Sequence, residues 1–317
     1  MAIDDIHTPV LLERCIELLA PAVSHEGAVL IDATLGMAGH AEAMLERFPQ
    51  LTLIGLDRDL DALDIAQERL ERFGSRARFV KAVYDDIDEA VEELGFPQVD
   101  GILFDLGVSS LQLDRTERGF SYSQDAPLDM RMDASSELTA ETILATYDEV
   151  ALRKIFWEYG DEKLAQRYAR RIVEERQQRP LTSSGQLVEL IDRATPAAAR
   201  RTGHPAKRVF QALRIEVNAE LSVLESAVPR ALDLLRVGGR IVFLSYQSLE
   251  DRIVKRELQA RAKSTTPAGL PVELPEHSAE LKLLVKGAEL ATEAEIDENP
   301  RAKPVRLRAA ERLRRPA

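Results

Sequence analysis

Two hydrophobic patterns alternate along the first hundred residues of the chain. Short apolar runs, each typical of a buried strand, occur in "AVLIDA" (28–33), "LTLIGLDRD" (51–59), "ARFVKAVYDD" (77–86) and "VDGILFDLG" (99–107). Stretches with helical periodicity follow the first three runs, and a glycine turn follows the fourth. Four such units in a row predict a parallel sheet with helices on both faces.

The pattern changes in the middle of the chain. Residues 113–136 are polar and without period, which predicts a long loop, and loops of this length are usually functional or disordered. Only helical patterns follow up to residue 204, and the last of these helices begins with a capping box at Ser183. We therefore expect an inserted helical domain at 137–204, between two parts of an α/β domain at 1–136 and 205–317.

The α/β pattern resumes after the insert. We predict one long helix over about 205–236, a strand at "RIVFLSY" (240–246), and two further strands in "ELKLLVKG" and "VRLRAAERL". A Pro-rich segment, "STTPAGLPVELPEH", is expected to be irregular.

Composition limits the class of protein. Among 317 residues, no apolar run approaches the roughly 20 needed to span a bilayer. The first residues lack the features of a signal peptide, and the one cysteine, Cys15, fits a reducing compartment. We expect a cytoplasmic protein without a membrane partner. The five histidines are scattered without the spacing of metal ligands, so no metal site is expected.

Charge is distributed unevenly along this acidic chain. The formal net charge is −12, yet residues 193–214 hold six cations and no acid, and the tail from Pro300 is also basic. Such patches can follow a phosphate backbone, although charge alone favours a solvated helix face and tail. The candidate RNA-binding residues in this stretch are Arg200, Arg201, Lys207, Arg208 and Arg214.

The first glycine turn indicates the type of ligand. A dinucleotide fold requires G-x-G-x-x-G, whereas this turn is Asp32-x-Thr34-x-Gly36-x-x-Gly39. An acid at the strand end repels a pyrophosphate but accepts hydrogen bonds from an ammonium group, which favours S-adenosylmethionine over NAD. Asp57 ends the second strand at a spacing that suits the ribose hydroxyls. The alternative is a turn without a ligand.

Further polar residues follow the third and fourth strands. Tyr84-Asp85-Asp86 follows the third strand, where a side chain would flank or hydrogen-bond an adenine, and Asp105 follows the fourth strand. Ligands of open α/β sheets bind outside the carboxyl ends of the strands, where these residues are expected to converge with Asp32, Gly36 and Asp57. For any one acid, the alternative is a carboxylate that caps a loop.

Several motifs together resemble one family. In chain order they are "HTPVLL" (7–12), "DATLGMAGH" (32–40), "DLGVSSLQLD" (105–114), "ERGFSYSQDAPLDMRMD" (117–133), "HPAKRVFQALRIEVNAEL" (204–221), "SYQSLEDRIVKREL" (245–258) and "NPRAK" (299–303). They resemble the MraW/RsmH family of ribosomal RNA small-subunit methyltransferases over nearly the whole chain.

The resemblance implies a fold, a cofactor and a substrate. The fold would be a class I methyltransferase: α/β, Rossmann-like, with a mostly parallel seven-stranded sheet and an inserted all-helical domain that helps to recognise substrate. The enzyme would use S-adenosylmethionine to methylate the N4 amine of a cytidine in the decoding centre of 16S rRNA. The partner would be the small ribosomal subunit, and the chain a monomer or homodimer.

By motif position, the resemblance places cofactor contacts on Ala38, Gly39, His40, Asp57, Tyr84, Asp105 and Gln112. Two positions depart from the family. Ala38 stands where glycine is common, and Gln247 replaces a frequent histidine, which argues against an obligatory general base there.

Methyl transfer from a sulfonium requires alignment of the nucleophile and exclusion of water. The N4 amine of cytosine is a poor nucleophile, so acceptors for its two N–H bonds would assist it. The candidates are Asp105, the Leu106 carbonyl, Ser109 and Ser110. Methylation at C5 normally requires a nucleophilic cysteine, and Cys15 precedes the first strand instead of following a strand end near Asp105, so we interpret it as a buried hydrophobic residue.

The target base must leave its stack to reach the methyl donor. Phe120 and Tyr122 in the long loop would stack on it or, equally, anchor the loop to the core. Two rival functions remain open. A nucleotide-dependent oxidoreductase would bind nicotinamide, and a non-enzymatic assembly factor would bind rRNA without methylating it.

Overall fold

The computed structural model describes residues 9–197, 199, 204–267 and 274–315. Its centre is a seven-stranded sheet in the order β3-β2-β1-β4-β5-β7-β6. The strands are β1 (Val29–Asp32), β2 (Thr52–Asp57), β3 (Ala77–Lys81), β4 (Val99–Asp105), β5 (Leu235–Ser245), β6 (Leu281–Leu283) and β7 (Arg306–Arg312). The first five strands are parallel, whereas β7 is antiparallel to both β5 and β6. The mostly parallel sheet is therefore confirmed, with six strands inside the segments predicted and β5 overlapping its segment.

The chain separates into two compact units, here called the sheet unit and the helical unit. The sheet unit comprises 1–107 and 221–317, and the helical unit 108–220. Helices of the sheet unit are α1 (Leu12–Val23), α2 (Gly39–Arg47), α3 (Leu60–Leu70), α4 (Ile87–Glu93), α11 (Glu220–Leu234, whose first residue belongs to the helical unit), α12 (Ser248–Arg261) and α13 (Glu293–Glu298). Those of the helical unit are α5 (Ser110–Asp114), α6 (Ala140–Thr146), α7 (Glu149–Glu158), α8 (Ala165–Arg176), α9 (Ser184–Ala194) and α10 (Ala206–Asn218).

The period-2 alternation of the strands creates two apolar layers, one on each face of the sheet. Leu30, Leu53 and Leu103 pack with helices α1, α2 and α3 on one face. Ile31 and Phe104 belong to the cluster on the other face, together with residues of α4, α11 and α12. A sheet covered on both faces leaves the strand ends as the exposed edge at which a ligand binds.

The helical unit has a separate core, formed by α6 to α10. The loop before α6 belongs to this unit, because Pro127 forms a β-bridge with Ser183. The capping box predicted at Ser183 is present. The unit extends beyond the predicted insert, 137–204, at both ends. No β-strand occurs in the described part of 108–220 apart from this isolated bridge.

The prediction of a single helix over 205–236 is wrong. Two helices, α10 and α11, meet at Ala219, whose φ of 51° lies in the left-handed region. Asn218 is buried at the end of α10 and is held by loop backbone: its Oδ1 accepts from Met132 N and its Nδ2 donates to the Met130 carbonyl. In addition, α11 ends at Leu234 and β5 begins at Leu235, five residues before the predicted strand.

The helices of the described part of the chain, of which α11 with 15 residues is the longest, include none that combines the length and apolarity needed to cross a membrane.

Candidate functional site

Three aspartates are the last residues of three neighbouring strands. Asp32, Asp57 and Asp105 end β1, β2 and β4, which are adjacent and parallel in the sheet. Because the carboxyl ends of parallel strands meet at one edge, the structure brings together the three acids that the sequence placed at strand ends.

The glycine turn links these strand ends through short hydrogen bonds. Thr34 N donates to Asp32 Oδ1 at 3.2 Å, and Asp105 N donates to Thr34 Oγ1 at 2.6 Å. Gly36 N donates to Asp57 Oδ2 at 2.8 Å. Gly36 has a φ of 51°, which suits glycine at this tight turn. The turn is therefore fixed by the strand ends on both sides of it.

Helix α2 begins where the turn ends. Ala38 precedes it with a φ of 62°, so the residue that stands where the family commonly has glycine takes a conformation that favours glycine. Its side chain is fully buried in the core cluster beneath the sheet. A Cβ on Gly39 would lie 2.6 Å from Pro9 Cγ, so this position requires glycine.

Asp105 is hydrogen-bonded to one ring side chain and lies near a second. The Tyr246 hydroxyl donates to Asp105 Oδ1 at 2.7 Å. On the other oxygen, His40 Nδ1 lies 3.7 Å from Oδ2. His40 Nε2 lies 3.0 Å from the Val10 carbonyl, which only accepts, so Nε2 carries the proton of that bond. The carboxylate therefore has a fixed orientation, and Oδ2 is the oxygen left without a close donor.

Burial disfavours the charged form of all three acids. It raises the pKa of Asp32 to about 7, with the Thr34 amide opposing the shift and the charges of Asp105 and Asp57 adding to it. It also raises the pKa of Asp57, against the amides of Asp59 and Gly36. Burial likewise raises the pKa of Asp105, against His40 and Tyr246.

Charge compensation for these acids is incomplete. Among the described residues, neither Asp32 nor Asp57 forms an ion pair, and Asp105 has only the imidazole of His40 within ion-pair distance. Buried carboxylates without a cationic partner are costly. A cationic ligand at this edge would compensate them, which fits a sulfonium with an α-ammonium group.

Tyr84 follows β3, as predicted. Its ring contacts the Phe104 ring edge-on, with centroids 5.6 Å apart, and Phe104 stacks on Phe243 at 4.9 Å. The half-buried phenol ring therefore continues an aromatic row of the sheet core toward the strand ends.

Ser109 and Gln112 have a local structural role in the helical unit. Ser109 Oγ accepts from Gln112 N, and Gln112 Oε1 accepts from Ser109 N at 3.1 Å, which forms a capping box on α5. The Ser109 hydroxyl keeps its own proton for a further bond. The side chain of Ser110 lies outside the described part of the structure.

The candidate RNA-binding residues differ in their surroundings. Arg200 and Arg201 lie outside the described residues. Lys207 is exposed, and Arg208 donates to the Asp161 carbonyl at 3.1 Å. Arg214 is 14% exposed and binds Glu220 through Nε and Nη2 at 2.7 and 2.8 Å. Because Glu220 already compensates its charge, we leave Arg214 out of the proposed RNA-binding set.

The loop aromatics anchor the loop. Phe120 is buried, and the Tyr122 ring stacks on His204 with centroids 5.0 Å apart and meets the Phe210 ring edge-on at 6.1 Å. Of the two roles considered for these residues, the structure favours packing over base stacking. Cys15 is fully buried in the apolar cluster of α1, as predicted.

The sequence missed Tyr246 as a site residue. Its position was included in the predicted strand 240–246, whereas β5 ends at Ser245 and Tyr246 stands just beyond it. The available signal was the same one that identified Asp105: a polar side chain directly after a buried strand.

The strand order, the antiparallel β7 and the acidic glycine turn define a class I S-adenosylmethionine-dependent methyltransferase. The model of the MraW methylase family matches residues 4–313, and the chain belongs to that family. Its cofactor is S-adenosylmethionine.

Named relatives are similar over their full lengths. The chain is 70% identical over 315 residues to the ribosomal RNA small subunit methyltransferase H of Clavibacter michiganensis subsp. michiganensis, covering 99% of each chain. It is 70% identical over 310 residues to the enzyme of that name from Leifsonia xyli subsp. xyli, covering 98% of this chain and 95% of the relative. Among solved structures, an rRNA methylase from Streptococcus thermophilus aligns over 98% of this chain with a TM-score of 0.45 and 11% identity.

Proposed function

We propose that the protein methylates the N4 amine of a cytidine in the decoding centre of 16S rRNA. The relatives named ribosomal RNA small subunit methyltransferase H support an rRNA substrate. The observation that carries the proposal is the site at the ends of β1, β2 and β4. There, the buried Asp32 and the half-buried Asp57, neither of which forms an ion pair among the described residues, adjoin a carboxylate that is held in position by Tyr246.

In this proposal the acids of β1 and β2 bind the cofactor. Asp32 compensates its positive charge, and Asp57 accepts from its ribose hydroxyls while retaining the bond from Gly36 N. A carboxylate oxygen has two lone pairs, so Asp57 can accept both. The other residues predicted to contact the cofactor are also proposed as cofactor contacts: Gly36, Ala38, Gly39, His40, Tyr84, Asp105 and Gln112.

When bound, the sulfonium supplies an activated methyl group. Asp105 would accept an N–H bond of the cytosine amine through Oδ2, while the Tyr246 hydroxyl occupies Oδ1. An acceptor placed where positive charge develops on the nitrogen stabilises the transition state. Because burial raises the pKa of Asp105, this carboxylate is also a better acceptor for the proton that the amine loses. Ser109 and Ser110 remain candidates for the second N–H.

The remaining contacts concern the rest of the RNA. Phosphates of the RNA are proposed to be contacted by the exposed Lys207 and Arg208, together with Arg200 and Arg201. Lys and Arg bind the phosphate backbone independently of sequence.

The test uses small ribosomal subunits from a strain that lacks the gene, incubated with labelled S-adenosylmethionine and analysed for modified nucleosides. The native chain is expected to form N4-methylcytidine, and Asp105→Ala to lower kcat at least about 100-fold. If the subunits gain no N4-methylcytidine, the alternative is favoured, in which the chain binds rRNA during assembly without methylating it. A different methylated nucleoside would overturn the assignment of the acceptor.

Tyr246→Phe tests the positioning of Asp105. It removes one phenol–carboxylate bond, and we expect kcat to fall about tenfold while KM for S-adenosylmethionine stays within about twofold. Tyr147→Phe is a matched control, because the Tyr147 hydroxyl donates to Glu216 Oε1 at the same 2.7 Å within the helical unit. Equal kinetics for the two variants would show that Tyr246 has only a structural role.

A further inference from the structure

One face of α7 exposes apolar and cationic side chains together. Val150, Arg153, Lys154 and Trp157, here called the α7 face, are spaced i, i+3, i+4 and i+7 and therefore lie on one side of the helix. Val150 is 64% exposed and Trp157 59%, and both cations are exposed. At about 100° per residue, the acids Glu149 and Glu158 flank this stripe, four residues from Arg153 and Lys154 respectively.

The helix that carries this face is firmly packed. Leu152, Ile155 and Phe156, on its opposite side, are buried in the core of the helical unit. At its start, Asp148 Oδ1 accepts from Ala151 N at 2.8 Å, a side-chain cap. The core of this unit therefore does not use Val150 or Trp157, and their exposure requires another explanation.

The two cations do not pair with the acids that flank them. Among the described residues, Arg153 and Lys154 form no ion pair or side-chain hydrogen bond. In the neighbouring helix α8, Arg170 and Arg171 both pair with Glu174, at 2.9 Å in each case. An exposed indole and two unpaired cations therefore lie together on one helix face of a chain with a net charge of −12.

We propose that the α7 face binds a single-stranded segment of the RNA substrate, with Trp157 stacked on a base and Arg153 and Lys154 on phosphates. Proteins bind single-stranded nucleic acid by this combination of aromatic surface and positive charge. Trp and Arg are enriched at protein–protein interfaces and Lys is depleted there, so residue types alone do not decide the occupant. Two adjacent unpaired cations favour a polyanion such as RNA. The inference rests on the proposed function, because that function supplies the RNA.

Trp157 provides a direct readout, since it is the only tryptophan of the chain. A short, cytidine-containing single-stranded RNA is titrated into the full-length protein at several salt concentrations. Stacking of a base on the indole is expected to quench its fluorescence. Arg153→Ala/Lys154→Ala is expected to weaken binding on the order of tenfold and to reduce the salt slope by about 1.4, the value for two phosphate contacts on a single strand.

Trp157 is tested by substitution, with binding followed by a label on the RNA. Trp157→Ala is expected to weaken binding on the order of tenfold, and Trp157→Phe less, because phenylalanine keeps a stacking surface. The matched control is Arg170→Ala/Arg171→Ala, which also removes two exposed cations and is expected to change the affinity less than twofold.

Methyl transfer to small subunits is measured separately and reports on the proposed function alone. If the native chain methylates subunits but RNA leaves the fluorescence of Trp157 unchanged, the α7 face is not an RNA site and the proposed function stands. Quenching by intact subunits but not by naked 16S rRNA would also overturn the inference and indicate a ribosomal protein as the partner. Equal losses of RNA affinity for Arg153→Ala/Lys154→Ala and for the control Arg170→Ala/Arg171→Ala would show that the effect depends only on net charge.

Discussion

The Asp32 carboxyl is destabilising to the folded chain when it is ionised. Its pKa is about 7 in the folded protein and 3.8 as a free side chain. The folded state therefore binds more protons between these values, and the free energy of unfolding falls as pH rises through this window. The full cost, about 4 kcal/mol, applies above pH 7. Asp32 therefore lowers the stability of the folded chain near neutral pH, a cost that its proposed role in cofactor binding would explain.

Asp32→Asn is therefore expected to stabilise the cofactor-free protein. The amide oxygen of asparagine still accepts from Thr34 N, and no charge is buried. In thermal or urea unfolding, the gain is expected to reach up to about 4 kcal/mol at pH 8 and to shrink as pH falls to 5. Asp64→Asn, the same change on the exposed side of α3, should have little effect at either pH. A gain that does not change with pH would contradict this explanation.

At the scale of the element, Asn218 explains both the end of α10 and the order of the loop before α6. Its amide satisfies Met132 N and the Met130 carbonyl, at 2.7 and 2.8 Å. Met130 itself has a φ of 61°, a strained conformation that these bonds help to hold. The loop is long and without period in the sequence, yet its part around Met130 and Met132 is held by a side chain from a distant helix.

Asn218→Ala is expected to release this loop. Two loop backbone groups lose their partner, which costs about 2–4 kcal/mol of stability. Cleavage by trypsin after Arg131, which lies between the two methionines, should become faster. Lys207→Ala, an exposed substitution on the same helix, should leave both the unfolding midpoint and the cleavage rate unchanged. Cleavage at the native rate in Asn218→Ala would show that other contacts hold the loop.

For the molecule as a whole, features set by local patterns were predictable, and features set by distant contacts were not. Strand positions follow from apolar runs, and acids directly after those runs locate the edge at which Asp32, Asp57 and Asp105 meet. The break at Ala219 was hidden, because helical periodicity continues through it and the cause lies about 86 residues away at Met132. Tyr246 carried the same local signal as Asp105 but was assigned to the strand, because a tyrosine also fits a strand.

Binding of the cofactor at the strand ends is expected to release protons from the protein. Because burial holds the pKa of Asp32 at about 7, a fraction of this carboxyl is protonated near neutral pH and must ionise to compensate a cation. The affinity for S-adenosylmethionine should therefore rise as pH increases from 6 to 7.5, by up to about tenfold per pH unit below that pKa. Calorimetry in buffers of different ionisation enthalpy measures the protons released.

Two controls separate this coupling from a general effect of pH. S-adenosylhomocysteine lacks the sulfonium charge, so its affinity should depend less on pH. Asp32→Asn removes the titrating carboxyl, so it should bind S-adenosylmethionine more weakly and with a flatter pH profile. Equal proton release by the native chain and by Asp32→Asn would assign the coupling to another group, with Asp57 and Asp105 the next to test because burial raises the pKa of each.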